Sequence, residues 1–240
     1  MAHGITIVTE QAEQAREQAL AAEARTDEVD FFHLFWIYMI VSIVGMYIET
    51  IVSFPIDGVW KNRAGLIFGP FSPIYGLGAV FITLALHRVR HARAFTLFVV
   101  AALVGATFEY LVGTFWQSMF GFVAWDYSAQ PFNIGGKTCL KMALVWGMGG
   151  LIWMKFLLPG VIGVIDLIPA RIRQPLTNCA MVLMVADAAL TIAAFQCWYD
   201  RAVGIELNTP VMQLINQAFN DEFMASHFQT ISIIPDLARW

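Results

Sequence analysis

From residue 33 onward the chain alternates long apolar runs with short polar connections. Five runs, at about 33–54, 66–86, 94–116, 139–158 and 175–198, each approach the ~20 residues that a helix needs to cross a ~30 Å hydrocarbon layer. The fourth run continues past Pro159 and Gly160 to Pro169, which predicts a kink at Pro159 or a short interfacial segment. The pattern predicts an all-α membrane protein with about five transmembrane helices. Residues 1–32 form a separate polar, acidic stretch that predicts a solvated cytoplasmic N-terminal helix over about 9–24. The transmembrane domain takes residues 33–198. Residues 199–240 form an extracytoplasmic tail, with apolar spacing over 211–228 that predicts one amphipathic helix.

Composition sharpens this. Of 240 residues, 32 are Asp, Glu, Lys or Arg, or 13%, against ~25% in soluble domains. The five runs hold five of those charges, so the remaining segments have an ordinary soluble composition. A soluble enzyme is excluded on this ground. The net charge of −4 and the lack of a long basic run argue against nucleic acid as a partner. Cys139, Cys179 and Cys197 have no disulfide or metal-ligand spacing, and no metal site is expected.

Lys and Arg in short loops favour the cytoplasm. Arg88, Arg90 and Arg93 between runs two and three, with Arg171 and Arg173 after run four, place both connections inside. The N-terminus is then cytoplasmic, with segments 55–65 and 117–138 outside. The expected location is the bacterial inner membrane, crossed several times.

Two halves of the chain repeat. Gly45, Glu49 and Val52 match Gly105, Glu109 and Val112 as Gly-x-x-x-Glu-x-x-Val. Asn62, Gly65, Gly76 and Gly78 then match Asn133, Gly136, Gly147 and Gly149 at identical spacing. Runs one and three cross in the same direction, so this predicts two parallel two-helix repeats plus one added span.

Carboxylates at membrane depth are costly and are kept mainly where they meet a partner or line a wet cavity. Glu49, Glu109 and Asp187 meet that condition. Arg63 is the natural bidentate partner for Glu49 or Glu109. Asp126, beside Trp125 and Tyr127, suits a sugar, an amine or a headgroup, and equally a membrane-interface belt. The stretch 69–78, with two prolines and three glycines, reads either as irregular backbone lining a cavity or as a helix whose first turn carries the prolines.

Together Glu49, Asn62, Arg63, Gly69, Pro70, Pro73, Tyr75, Gly76, Glu109, Trp125, Asp126, Asn133 and Gly136 form an ordered motif set. With it the chain resembles the bacterial ABC-transporter permease family of the CmpB kind, over about 33–195. The resemblance implies a polytopic plasma-membrane protein and places Glu49, Asn62, Arg63, Glu109, Trp125, Asp126, Asn133 and Asp187 on family positions. The chain departs from the family at Met46, where an aromatic is usual, and at Ala64, where glycine is usual.

The leading expectation is a permease-like transport protein. Its substrate-binding residues are Glu49, Asn62, Arg63, Glu109, Trp125, Asp126, Asn133 and Asp187, set in a polar cavity toward the outer side. One alternative is an intramembrane enzyme acting on a lipid or polyprenyl-phosphate substrate; an enzyme is the less favoured reading, and no catalytic residue is assigned. The other alternative is a non-catalytic membrane partner subunit. Expected partners are the lipid bilayer, an ATPase or other membrane subunit, and a second copy of the chain. The residues name no cofactor, and no P-loop sequence occurs among them.

Overall fold

The computed structural model describes Glu13 and residues 29–206 and 209–238. Apart from Glu13, the polar helix expected over about 9–24 lies outside the described residues.

Helix α1, Phe31–Asp57, starts at Asp30, whose carboxylate accepts the His33 N–H at 3.0 Å, and ends at Gly58 in the left-handed region at φ 70°. Burial works against the Asp30 charge, but hydrogen bonds from the His33 backbone and ring outweigh it and hold the carboxyl below its usual range. The second apolar run is helical only from Pro73: α2 is Pro73–His87, with proline in its first turn. Residues 65–72 ahead of it are irregular, turned by Gly69 at φ 72°, and Leu66 and Ile67 there are buried in protein. Pro70 thus lies in irregular chain packed against protein, and Pro73 alone sits in the first turn of α2.

Helix α3, Ala94–Phe120, ends at Gly121 (φ 61°). The fourth run forms one continuous 26-residue rod of three segments. These are α4, Leu140–Ile152, then a π-helical stretch, Trp153–Leu157, then α5, Leu158–Ile165. Proline has no N–H to give to the carbonyl four residues back, so Pro159 is absorbed by the wider π turn just before it. Helix α6, Ala170–Val203, is the longest at 34 residues. Four of these helical rods are long and apolar enough to cross a membrane, and α2 is a shorter apolar helix of 15 residues.

The tail carries α7, Pro210–Ala218, and α8, Asp221–His227, where one amphipathic helix was expected. The break is at Asn220, whose side chain accepts the Phe223 N–H at 2.9 Å and restarts the chain as a new N-cap. Asn220→Ala is expected to cost about 1 kcal/mol, the usual loss for a cap, and to raise amide exchange selectively in 221–227. A two-residue antiparallel ladder, β1 (Phe122–Val123) with β2 (Ser232–Ile233), ties the tail to the end of α3.

Two apolar cores lie at opposite ends of the bundle. One gathers Ile37, Leu86, Leu97, Trp153, Leu158 and Ile162 near the arginine-rich turn. The other gathers Phe120, Phe122, Phe195, Tyr199, Met224 and Phe228, so the tail packs on the protein. The polar groups considered next lie at this second, loop-rich end.

Candidate functional site

Arg63 is the hub of the first polar cluster. Its Nη1 meets Glu49 Oε1 at 2.7 Å and its Nη2 meets Asp57 Oδ2 at 2.6 Å, with the guanidinium side chain only 14% exposed. Of the two partners open to it, Arg63 takes Glu49. Both carboxylates come from the last turns of α1, and the Gly58 turn brings the chain back over them. Asn62 shapes that return rather than facing the ion pair: its Oδ1 accepts the Ala64 N–H at 3.0 Å and its own N–H reaches Gln229 at 2.9 Å.

Glu109 on α3 is 5% exposed. Its Oε1 accepts the Tyr127 hydroxyl at 3.1 Å and its Oε2 accepts the Thr138 hydroxyl at 2.8 Å. The Trp146 indole N–H faces the same carboxylate without completing a hydrogen bond. Among the described residues no Lys, Arg or His forms an ion pair with it. Tyr127, in the loop after α3, connects the clusters. Its phenol is pushed above its usual range by burial first, then by Glu109, Cys139 and Glu49. Tyr75 on α2 in turn interacts with Glu49, Arg63 and Tyr127. Glu49 and Glu109 thus share an electrostatic neighbourhood with two half-buried phenols.

The packing around these groups recurs. A Cβ at Gly45 on α1 would lie 2.6 Å from the Tyr75 ring, and one at Gly105 on α3 would fall within the side chain of Trp146. Tyr75 and Trp146 each immediately precede the matched glycines Gly76 and Gly147. A Cβ at Gly76 would lie 2.7 Å from the Tyr38 ring and 2.5 Å from its carbonyl oxygen, and one at Gly147 would lie 2.7 Å from the Phe98 ring. Tyr38 and Phe98 stand seven residues before Gly45 and Gly105. Each carboxylate therefore sits one turn beyond the glycine that lets its helix pair close.

Asp187 is placed elsewhere. Its Oδ1 accepts the Phe68 N–H at 3.2 Å, and the Thr191 hydroxyl lies 3.5 Å away. Thr191 takes the Ile67 N–H at 3.0 Å, and His227 Nε2 reaches the Leu66 carbonyl at 2.9 Å. These groups satisfy backbone that has left the helix, as irregular chain in a membrane protein requires.

Trp125, Asp126 and Asn133 belong to the loop 121–139. Asn133 holds the loop through the Ser128 and Gln130 carbonyls and the Gly136 N–H. Asp126 is exposed; its Oδ1 accepts the Ser128 hydroxyl and N–H at 2.6 and 2.8 Å, which keep the carboxyl below its usual range. Trp125 and Asp126 border a cavity of about 230 Å³, which Glu49, Arg63, Glu109 and Asp187 do not line.

The family model described as "Putative ABC-transporter type IV" matches residues 36–192. The chain belongs to this family. That match covers every candidate residue and both helix pairs, and with the apolar helices it makes the chain a multi-pass membrane protein of transport type. No curated protein and no solved structure matches the chain.

Asp57, Thr138, Thr191 and His227 join these clusters without standing out in the sequence. Thr138 had a signal, since it aligns with Ile67 in the matched sequence segments, beside a carboxylate that lacks an arginine. Asp57 was visible only as a loop acid six residues before Arg63.

Proposed function

We propose that the chain is a membrane transport protein whose polar centre is the Glu49–Arg63 pair joined through Tyr75 and Tyr127 to Glu109. The observation that carries this reading is Glu109: a nearly enclosed carboxylate, deep in an apolar helix, with both oxygens hydrogen-bonded and no cation paired to it among the described residues. A purely structural acid is usually neutralised by a partner, as Glu49 is by Arg63. Glu109 instead has room in its chemistry for a transient positive charge, on a proton or on a solute. The matched glycine contacts support two parallel two-helix repeats with α6 as the added span, and the polar centre lies between the repeats.

The arginine-rich turns support a cytoplasmic N-terminus in the bacterial inner membrane, so that the polar centre, the loop 121–139 and the tail face outward. The family description supports a separate ATPase subunit as the energy source. Asn62 and Asn133 fix the backbone around this centre, Asp187 holds the irregular chain ahead of α2, and Trp125 and Asp126 border the outer approach.

Membrane vesicles carrying the chain, given an isotope-labelled metabolite mixture with and without ATP, are expected to accumulate at least one solute that vesicles lacking the chain do not. Identical solute profiles contradict the transport reading.

A further inference from the structure

The cavity of about 230 Å³ at the loop-rich end is separate from the Glu49–Glu109 centre, and its lining is chemically specific. Trp116 forms one aromatic wall, its ring stacked at 6.3 Å and 19° on the buried Phe122 behind it. Trp125 adds a second wall; its indole N–H is spent on the Lys137 carbonyl at 2.8 Å, so toward the cavity it offers apolar surface. Leu237, from the tail tied down by the β1–β2 ladder, closes another side. Gly113, Gly135 and Gly136 keep side-chain volume out, and a Cβ at Gly113 would reach both Trp125 and Lys137 at 3.4–3.5 Å.

Against these apolar walls stand two groups of opposite charge. Asp126 uses only Oδ1 in its bonds to Ser128, and its Oδ2 has no hydrogen bond among the described residues. Lys137 Nζ has only a 3.4 Å contact to the Gly135 carbonyl. Neither forms a salt bridge with the other or with another described residue. Opposite charges that share a cavity without pairing leave one acceptor and one donor for whatever enters, and the charge-assisted bonds they form are the strong ones. The volume falls below the ~300–1,000 Å³ of sites for drug-sized ligands, so the occupant is small.

We infer that this cavity is a binding site for a small zwitterion with an apolar side chain, of the free α-amino acid class. The ammonium meets Asp126, the carboxylate meets Lys137, and the side chain lies against Trp116, Trp125 and Leu237. This deepens the transport reading, on which it rests for its role as the first stop of a solute.

The test is isothermal titration of the full chain in detergent with L-leucine, beside 4-methylvalerate, which has the carboxylate alone, and isoamylamine, which has the ammonium alone. L-Leucine binds saturably in the millimolar range or tighter, and each single-charge analogue binds about tenfold or more weakly, the loss of one charge-assisted bond. Asp126→Asn and Lys137→Gln, on exposed or half-buried positions, each weaken L-leucine by a similar factor while the unfolding midpoint stays. No saturable binding of L-leucine overturns the inference, as do analogues that bind equally well or variants that bind as wild type does. Solute uptake by the vesicles without L-leucine binding sinks this site alone. Binding without any uptake leaves this site standing and sinks the transport reading.

Discussion

Gly105→Ala is expected to prevent stable packing of α3 on α4, whereas Gly149→Ala, on the same helix pair, is expected to be harmless. The new methyl at 105 would occupy the space of the Trp146 Cβ and Cγ, the near end of that side chain. No rotamer change moves Cβ, so the two helices must separate, and Trp146 must leave its place against Phe108 and Glu109. Overpacking a close-packed contact costs typically 1–3 kcal/mol, and a clash with an immovable atom belongs at about 3 kcal/mol or beyond. At Gly149 a Cβ meets nothing within 4 Å, and alanine in a helix interior gains up to ~1 kcal/mol over glycine. Gly45→Ala is expected to follow Gly105→Ala, because Tyr75 occupies the matching place at 2.6 Å. Thermal unfolding in detergent, followed by size-exclusion fluorescence, checks all three. Equal midpoints for the 105 and 149 variants contradict the packing described.

Arg63→Ala is expected to be the most damaging change outside the glycine contacts. It removes both the 2.7 Å bond to Glu49 and the 2.6 Å bond to Asp57, leaving two half-buried carboxylates without their shared cation. Lys61 remains near Asp57 at 3.4 Å, but Glu49 has no such reserve among the described ion pairs. Hydrogen bonds to charged groups contribute roughly 1.5–3 kcal/mol each when enclosed. Glu49 and Asp57 keep some contact with solvent, which lowers the combined loss to about 2 kcal/mol. Adding Glu49→Gln to Arg63→Ala is expected to recover part of that loss, since it removes the charge left unpaired. A double-mutant cycle read by unfolding midpoints measures the coupling. Strictly additive midpoints contradict the pair.

Much of the fold was legible because a membrane imposes one rule on every span: apolar length. The five apolar runs correspond to helices for that reason, and Gly58, Gly121 and Gly204 end three of them as C-caps. What composition concealed was backbone that stays apolar after it stops being helical. Leu66, Ile67 and Phe68 are as hydrophobic as any span, yet they lie in irregular chain whose N–H groups bond to Thr191 and Asp187. Hydropathy does not distinguish a residue facing lipid from one facing another segment.

The same limit governs the tail. The apolar spacing over 211–228 runs through Asn220, whose capping bond starts α8 and splits one expected helix into two. At the polar centre, the sequence pointed to Glu49, Arg63 and Glu109 because charges are conspicuous in apolar runs. Thr138 and Tyr127 hold Glu109 through hydroxyls, which are ordinary in any loop and become informative only when the fold brings them within 3.1 Å of a carboxylate.

On the proposed reading, transport runs through Glu109. Uptake of the labelled metabolite mixture, compared between vesicles carrying wild type and vesicles carrying an equal amount of folded Glu109→Gln, tests it most directly. The substitution keeps an acceptor for Tyr127 or Thr138 and preserves side-chain shape while deleting the charge. Uptake seen with wild type is expected to fall at least about tenfold in the variant, the loss of one charge-dependent interaction worth ~1.4 kcal/mol or more. Uptake by Glu109→Gln at the wild-type rate would contradict it.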